Sequence, residues 1–420
     1  MRSMAQRSIR GCRPARRAVA TFLAIAVPGL VLAACSSSDS AGSSSTSAPP
    51  SATTTTMVAF EPRSPATPVD YAAQPKGVPW PDPGWPTGPL PDGVSRAALD
   101  AQLDRDFGEL SQGRNTTDAV LVVQGGRIVA ERYRPGFGGP TTPHHSWSMA
   151  KSITSTLIGM LVADGKLDIY EPAPVPQWSD PKDPRHAITT DELLRMASGL
   201  KWNEDYFASD SDVTAMIWGK GKEDMAAYAA NKPLVDEPNT VVAYSTGTSN
   251  IVAGIIGEIV GRGASTKRFV RNRLLDPLGI DPADTDIAYD GAGQLVGGSI
   301  FDLTARDYAR LGLLYARGGV WNGRRLLPEG WVDYSRTPTP PPRGWGKYGA
   351  HWWTYEDCQD GFRMGGFNGQ HVVVCPTLDL VVVVLSNRVD QKDGVVRDDL
   401  VHLFRDAALA NGGAPGPSNP

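Results

Sequence analysis

Four cysteines and six histidines in 420 residues are too few for a disulfide scaffold or for a centre built on clustered thiols and imidazoles. The adjacent pair His144-His145 belongs to neither an HExxH nor an HxH pattern, so no metal and no cofactor are expected. Neither charge sign is in excess: 41 Lys and Arg stand against 45 Asp and Glu, a net charge of -4. That balance gives no basic surface for nucleic acid and favours small neutral substrates. A GxSxG elbow is absent, which counts against a Ser/His/Asp hydrolase of the α/β type. No internal repeat is present, and the one long apolar run near the N-terminus, residues 18–34, is interrupted by Pro28-Gly29 and is short for a membrane span.

What precedes and follows that run gives it a meaning. Arg2, Arg7, Arg10, Arg13, Arg16 and Arg17 come before it, the arrangement of an export signal. It ends in Leu32-Ala33-Ala34-Cys35, which resembles the bacterial lipobox, so residues 1–34 are expected to be a lipoprotein signal and Cys35 the lipidated first residue. The expected location is the outer face of a bacterial cell membrane. Residues 36–56 are nearly all Ser, Thr, Ala, Pro and Gly, too poor in apolar surface to offset the entropy of ordering. Prolines dominate 61–93, with Trp80 and Trp85 among them, which suits an extended strap on the body. The stretch 35–93 is therefore assigned as a lipid-linked tether, with a reach on the order of 40 Å if all of it is slack. Cys12 falls in the signal, leaving Cys358 and Cys375 in the body. Outside the cytoplasm these two form either a disulfide or a pair of buried thiols.

The globular part is assigned to 94–412, followed by a tail, 413–420. A helix is expected at 97–110, and two β-rich runs, 119–124 and 127–133, flank Gly125-Gly126, a hairpin signal. Residues 189–275 read as mostly helical. Near the C-terminus 351–355, 362–364, 371–375 and 380–385 read as strands, with a helix at 396–409. Strands at both ends with helices between them predict an α+β fold, in which one antiparallel sheet is built from the two chain ends around a mostly helical insertion.

SxxK occurs three times, at Ser148/Lys151, Ser179/Lys182 and Ser198/Lys201. Pro181 and Gly199 interrupt the second and third copies, whereas Ser148 opens a helix-forming run. Residues three apart on a helix share a face, so the Lys151 amine can lie beside the Ser148 hydroxyl, with the helix N-terminus supplying positive potential to an oxyanion. A serine hydroxyl needs a neighbouring base, and a lysine serves only when desolvated or paired. Tyr244, in Tyr244-Ser245-Thr246-Gly247 before a helical run, is a fitting partner.

Ser148-Met149-Ala150-Lys151 followed by Tyr244-Ser245-Thr246 resembles the penicillin-recognising serine hydrolases, in particular the class C β-lactamase-related esterases and aminohexanoate-dimer hydrolases. The stretches 147–165, 188–200, 306–319, 322–331 and 366–376 carry the same likeness, which spans about 85–410. The resemblance implies a β-lactamase/transpeptidase-like fold in which Ser148 is acylated, Lys151 and Tyr244 share the proton work, and the NH groups of Ser148 and Phe367 form the oxyanion hole. Trp202, Tyr206, Asp210, Asp212, Thr246, Gly365 and Gly366 fall where relatives place pocket residues, the other reading of the two acids being exposed loop residues. The strand that in the family carries Lys-Thr-Gly or His-Thr-Gly reads Met364-Gly365-Gly366 here, without the base that greets a substrate carboxylate. Arg363 is expected on the other side of that strand. The expected activity is thus acyl-enzyme hydrolysis of amides or esters, free or envelope-derived, by a membrane-anchored protein. The alternatives are a non-catalytic peptidoglycan-binding lipoprotein of the same fold and a weak β-lactamase or DD-peptidase.

Overall fold

The computed structural model describes residues 60–63, 68–108, 116–339, 346–388 and 395–411. The expected signal, Cys35, the Ser/Thr-rich segment and the tail lie outside these residues.

Both chain ends feed one six-stranded antiparallel sheet. Strands β1 (Thr116–Gln124) and β2 (Arg127–Tyr133) form a hairpin whose turn, Gly125-Gly126, has φ of 58° and 69°. Only glycine adopts two such values in succession at little cost, which is why the Gly-Gly pair marks the turn. Strands β3 (Trp353–Thr354), β4 (Phe362–Gly366), β5 (Gln370–Cys375) and β6 (Leu380–Asn387) come from the other end. The order is β2-β1-β6-β5-β4-β3, so the first and last of the described strands are neighbours inside the sheet. The run expected at 351–355 shrinks to two residues of strand because His351 turns the chain at a φ of 61°.

Alternate residues of the central strands serve two cores. Leu121, Val123, Val381, Val383 and Leu385 face the helical body, while Val120, Val122, Val382 and Val384 pack under two further helices. These are α1 (Arg96–Phe107), capped by the Ser95 side chain, and α5 (Val395–Ala410). With helices on both faces the strands lose the polar alternation of a one-sided sheet and become nearly continuous valine and leucine. On the other face sit α2 (Met149–Ala163), buried along its whole length, and α4 (Ala305–Ala316).

The insertion is less helical than its composition suggests. It holds α3 (Thr246–Val260) and several helices of seven residues or fewer, and the segments 195–211 and 231–245 between them are irregular. Cys358 and Cys375 are joined as a disulfide, with their Cα atoms 6.0 Å apart. The proline-rich stretch from 68 onward is bound to the body rather than slack. Tyr71 donates to Asp333, Trp80 packs on Trp321, the Trp85 indole donates to the Arg306 carbonyl, and Arg310 donates to the carbonyls of Pro81 and Pro83. This shortens the slack length assumed above for 35–93.

Candidate active site

Ser148 stands at the N-cap of α2, where the first N–H groups of a helix have no intrahelical acceptor, and its side chain makes no capping bond. One turn on, Lys151 is 1% exposed, and its Nζ lies 3.0 Å from Ser148 Oγ, 3.0 Å from Thr246 Oγ1 and 2.6 Å from the Gly298 carbonyl. Burial pulls the Lys151 pKa down from 10.5 to about 8, against the opposing charge of Glu204. The other two SxxK copies lie in irregular chain.

The serine is delivered by a strained turn. Trp147 has a φ of 43°, a left-handed value that costs a bulky residue about 1–3 kcal/mol and persists only where its surroundings enforce it. Asp302 supplies that enforcement by accepting from the Ser146 N–H at 2.8 Å and meeting His145 Nδ1 at 2.8 Å, while Ser146 Oγ accepts from the Phe301 N–H. The Trp147 ring is wedged edge-on between His145 and Phe367. On the sheet side, a Cβ on Gly366 would fall 2.4 Å from the Ser146 carbonyl, so only glycine lets β4 come this close to the serine turn. Phe367 follows Gly366 in the hairpin turn, one residue beyond the end of β4.

Tyr244 lies in the loop entering α3 and Thr246 is the first residue of that helix, whose N-cap, Ser245, accepts from the Thr248 N–H. Tyr244 stacks on Trp353 and meets Tyr348 edge-on, and Lys151 Nζ is 5.1 Å from its ring centroid. Burial, with Tyr348 and Tyr206 nearby, raises the Tyr244 pKa well above 10; a hydrogen bond with Ser148 opposes the rise. Burial thus moves the two candidate bases apart, holding the Tyr244 phenol towards its protonated form and easing the release of a proton from Lys151.

Glu204 escaped the sequence reading. Its carboxylate accepts from Trp202 Nε1 and the Tyr206 hydroxyl at 2.5 Å each, from the Thr246 N–H at 2.9 Å, and from the Thr246 hydroxyl. Four donors saturate a carboxylate, and the Thr246 contact fixes the direction of the chain of bonds. Because Thr246 gives its only hydroxyl proton to Glu204, its oxygen accepts from Lys151; the Gly298 carbonyl can only accept as well. A neutral Lys151 thus spends both N–H groups on Thr246 and Gly298 and presents its lone pair to Ser148. The only trace of this in sequence is the alternation Trp202-x-Glu204-x-Tyr206, which lacks meaning until Thr246 is brought against it.

The remaining expected residues divide. Tyr206 and Thr246 line a slot of about 120 Å³ beside Ser148. Trp202 stands behind it, its ring against Gly247, where a Cβ would meet the indole at 2.5 Å. Gly365 and Gly366 end β4 beside the serine turn. Asp210 is exposed and is not brought to the slot, and Asp212 holds Lys232 and the Asn203 N–H instead. Met364 is fully buried in the core facing the helices, while Arg363 lies against Trp353 and His371. The backbone N–H of His144 donates to the Leu303 carbonyl, His145 Nδ1 meets Asp302, and the described residues contain no group of three or more potential metal ligands. A larger groove, about 630 Å³, runs between the strap and the Val320–Trp321/Arg324–Arg325 hairpin and includes none of the residues around Ser148.

The Beta-lactamase family model matches residues 100–406. A 6-aminohexanoate-dimer hydrolase from Paenarthrobacter ureafaciens is 28% identical over 296 residues, 64% of this chain and 72% of that protein. Among solved structures, a protein from Bacillus anthracis provisionally named a 6-aminohexanoate-dimer hydrolase superposes with a TM-score of 0.63 at 20% identity, covering 79% of this chain and 89% of its own. A family VIII carboxylesterase does so with a TM-score of 0.58 at 15% identity, covering 76% and 99%. The two structures share the β-lactamase/transpeptidase-like fold described above.

Proposed function

The chain belongs to the Beta-lactamase family, and from that premise we propose that it is a serine hydrolase cleaving ester or amide bonds through an acyl-enzyme on Ser148. The observation that carries this reading is the buried Lys151 amine 3.0 Å from Ser148 Oγ with its other bonds spent on groups that hold it in place. Ser148 Oγ attacks the substrate carbonyl as its proton passes to the Lys151 lone pair. The carbonyl oxygen gains the negative charge and is met by the Ser148 and Phe367 NH groups. The C–O or C–N bond then breaks, the leaving group takes the proton from Lys151, directly or through the Tyr244 hydroxyl, and the acyl group remains on Ser148. Water repeats the sequence, giving the acid and the free serine.

Met364 bears on the substrate. With an apolar, fully buried residue where the family carries a base, and with Arg363 turned to Trp353 and His371, a substrate carboxylate loses the family's partner at position 364, which favours neutral esters and amides over β-lactams and peptides with a free C-terminus. The Cys35 motif supports attachment to the outer face of a bacterial membrane through lipid. Replacing Cys35 with alanine is expected to move the protein from the membrane to the soluble fraction.

Intact mass after treatment with a fluorophosphonate tests the central claim. A single adduct is expected on the native protein and none on Ser148→Ala; an adduct that persists in the variant would refute the assignment.

A further inference from the structure

The slot beside Ser148 differs from the rest of the surface in what lines it. Trp147, Tyr206, Phe207, Ile217, Trp218 and Phe367 form its walls, and the remaining lining groups, Ser148, Thr246 and Ser299, are uncharged. No charged side chain lines it among the described residues. Three of the aromatic rings are joined through Phe367, with centroids 5.8 Å from Trp147, 5.8 Å from Tyr206 and 6.4 Å from Phe207. Many large aromatics elsewhere are sealed away, as with Trp178, Trp321, Trp331 and Trp352, with Phe137 at 44% an exception, whereas here Phe207 is 85% exposed and Trp218 61%. Apolar rings left in water around a nucleophile lose little by standing open only if an apolar group covers them during the reaction.

Resting on the serine-hydrolase reading above, we propose that this slot is the acyl-group site and that it selects an uncharged acyl chain of about four to eight carbons. The side of the scissile bond follows from the proton path. The leaving group must depart beside its proton donors, Lys151 and Tyr244, and Tyr244 does not line the slot. The acyl chain, which stays on Ser148 after that departure, is left with the aromatic side. The size follows from the volume: about 120 Å³ is comparable to a cavity of roughly 150 Å³ that holds one benzene. A butyryl or pentanoyl chain fills it, and further methylenes lie across Phe207 and Trp218. A terminal charge would be desolvated there without a counter-ion.

The test is a series of p-nitrophenyl esters, acetate, butyrate, hexanoate and the carboxylate-ended monoglutarate, assayed with the native protein and with Phe207→Ser and Trp218→Ser. Phe137→Ser, another exposed phenylalanine outside the slot, is the control. In the native protein kcat/KM is expected to rise about three- to fourfold per methylene from acetate to butyrate, and the carboxylate-ended ester to be at least tenfold slower than the hexanoate. Both slot variants should flatten the hexanoate-to-acetate ratio at least threefold, and the control should not change it. A ratio that favours acetate, a charged ester hydrolysed as fast as the neutral one, or a ratio indifferent to both slot variants would overturn the assignment. Fluorophosphonate labelling of the same samples separates the two failures: flat rates with Ser148 labelled reject only the slot, and an unlabelled Ser148 rejects the hydrolase reading and the slot with it.

Discussion

Lys151 and Lys232 place the same ammonium group in two settings, and the settings drive it in opposite directions. Lys151 is wholly buried and touches only neutral oxygens, with the nearest carboxylate, Glu204, kept one hydroxyl away behind Thr246. Lys232 keeps 19% of its side chain exposed and meets Asp212 directly at 2.5 Å and the Tyr228 hydroxyl at 3.1 Å. Burial dominates at Lys151 and lowers its pKa to about 8; at Lys232 burial acts the same way, but the bonds from Asp212 and Tyr228 outweigh it and the pKa rises. A carboxylate in contact makes a lysine a permanent cation. A carboxylate held at one remove orients it and still lets it lose a proton.

The largest break of this contrast is substitution by arginine, which keeps the charge and cannot release a proton. Lys151→Arg is expected to cost at least about 1000-fold in kcat/KM on a p-nitrophenyl ester, while Lys232→Arg stays within about twofold. Equal losses at both positions would remove the distinction.

Stability against pH sharpens it next. The folded pKa of Lys151 lies below its unfolded value, so folding releases a proton and the penalty is fully present below pH 8 and relieved as the pH rises towards 10.5. The unfolding free energy of the native protein relative to Lys151→Met should therefore grow by roughly 3 kcal/mol between pH 7 and pH 11. Lys232, with its folded pKa raised, should show the reverse trend against Lys232→Met: its contribution is present below the unfolded pKa and fades as the pH climbs through the folded one. Chemical denaturation across that range measures both. At pH 7 the Lys232→Met change itself should cost no more than about 1 kcal/mol, since the pair is partly solvated.

The smallest effect concerns Glu204. Its charge favours the protonated Lys151, so the activity of the native enzyme should rise with pH through about 8, and Glu204→Gln should move that midpoint downward. A midpoint that stays put or moves up would mean that Glu204 does not act on Lys151.

Much of this frame could be read from the residues. The hairpin at Gly125-Gly126, the valine-rich strands near the C-terminus and the helix after Ser148 are each fixed by local pattern, and the structure places them where local pattern predicts. Ser148 and Lys151 were legible because helical spacing alone puts them together. Glu204 was not, since its partner Thr246 is 42 residues away and only the packing of an irregular segment against the start of α3 unites them. The left-handed Trp147 was hidden for a related reason: its strain is sustained by Asp302, far along the chain, and no local preference announces it. The helical expectation for 189–275 failed around the candidate site, where Glu204 and Tyr244 lie in the irregular segments 195–211 and 231–245.

The central pairing of β1 with β6 also dictates a timetable. The first of the described strands to be synthesised is Thr116–Gln124, and the neighbour that must cover one of its edges, Leu380–Asn387, comes more than 250 residues later. Until then the β1–β2 hairpin presents Ala119, Leu121 and Val123 beside an open row of backbone donors and acceptors, a surface that recruits other chains. Any shortening of the chain before Leu380 would leave that edge unpaired for good, so a sheet that joins early and late strands side by side leaves every partial product that ends before Leu380 with that edge uncovered.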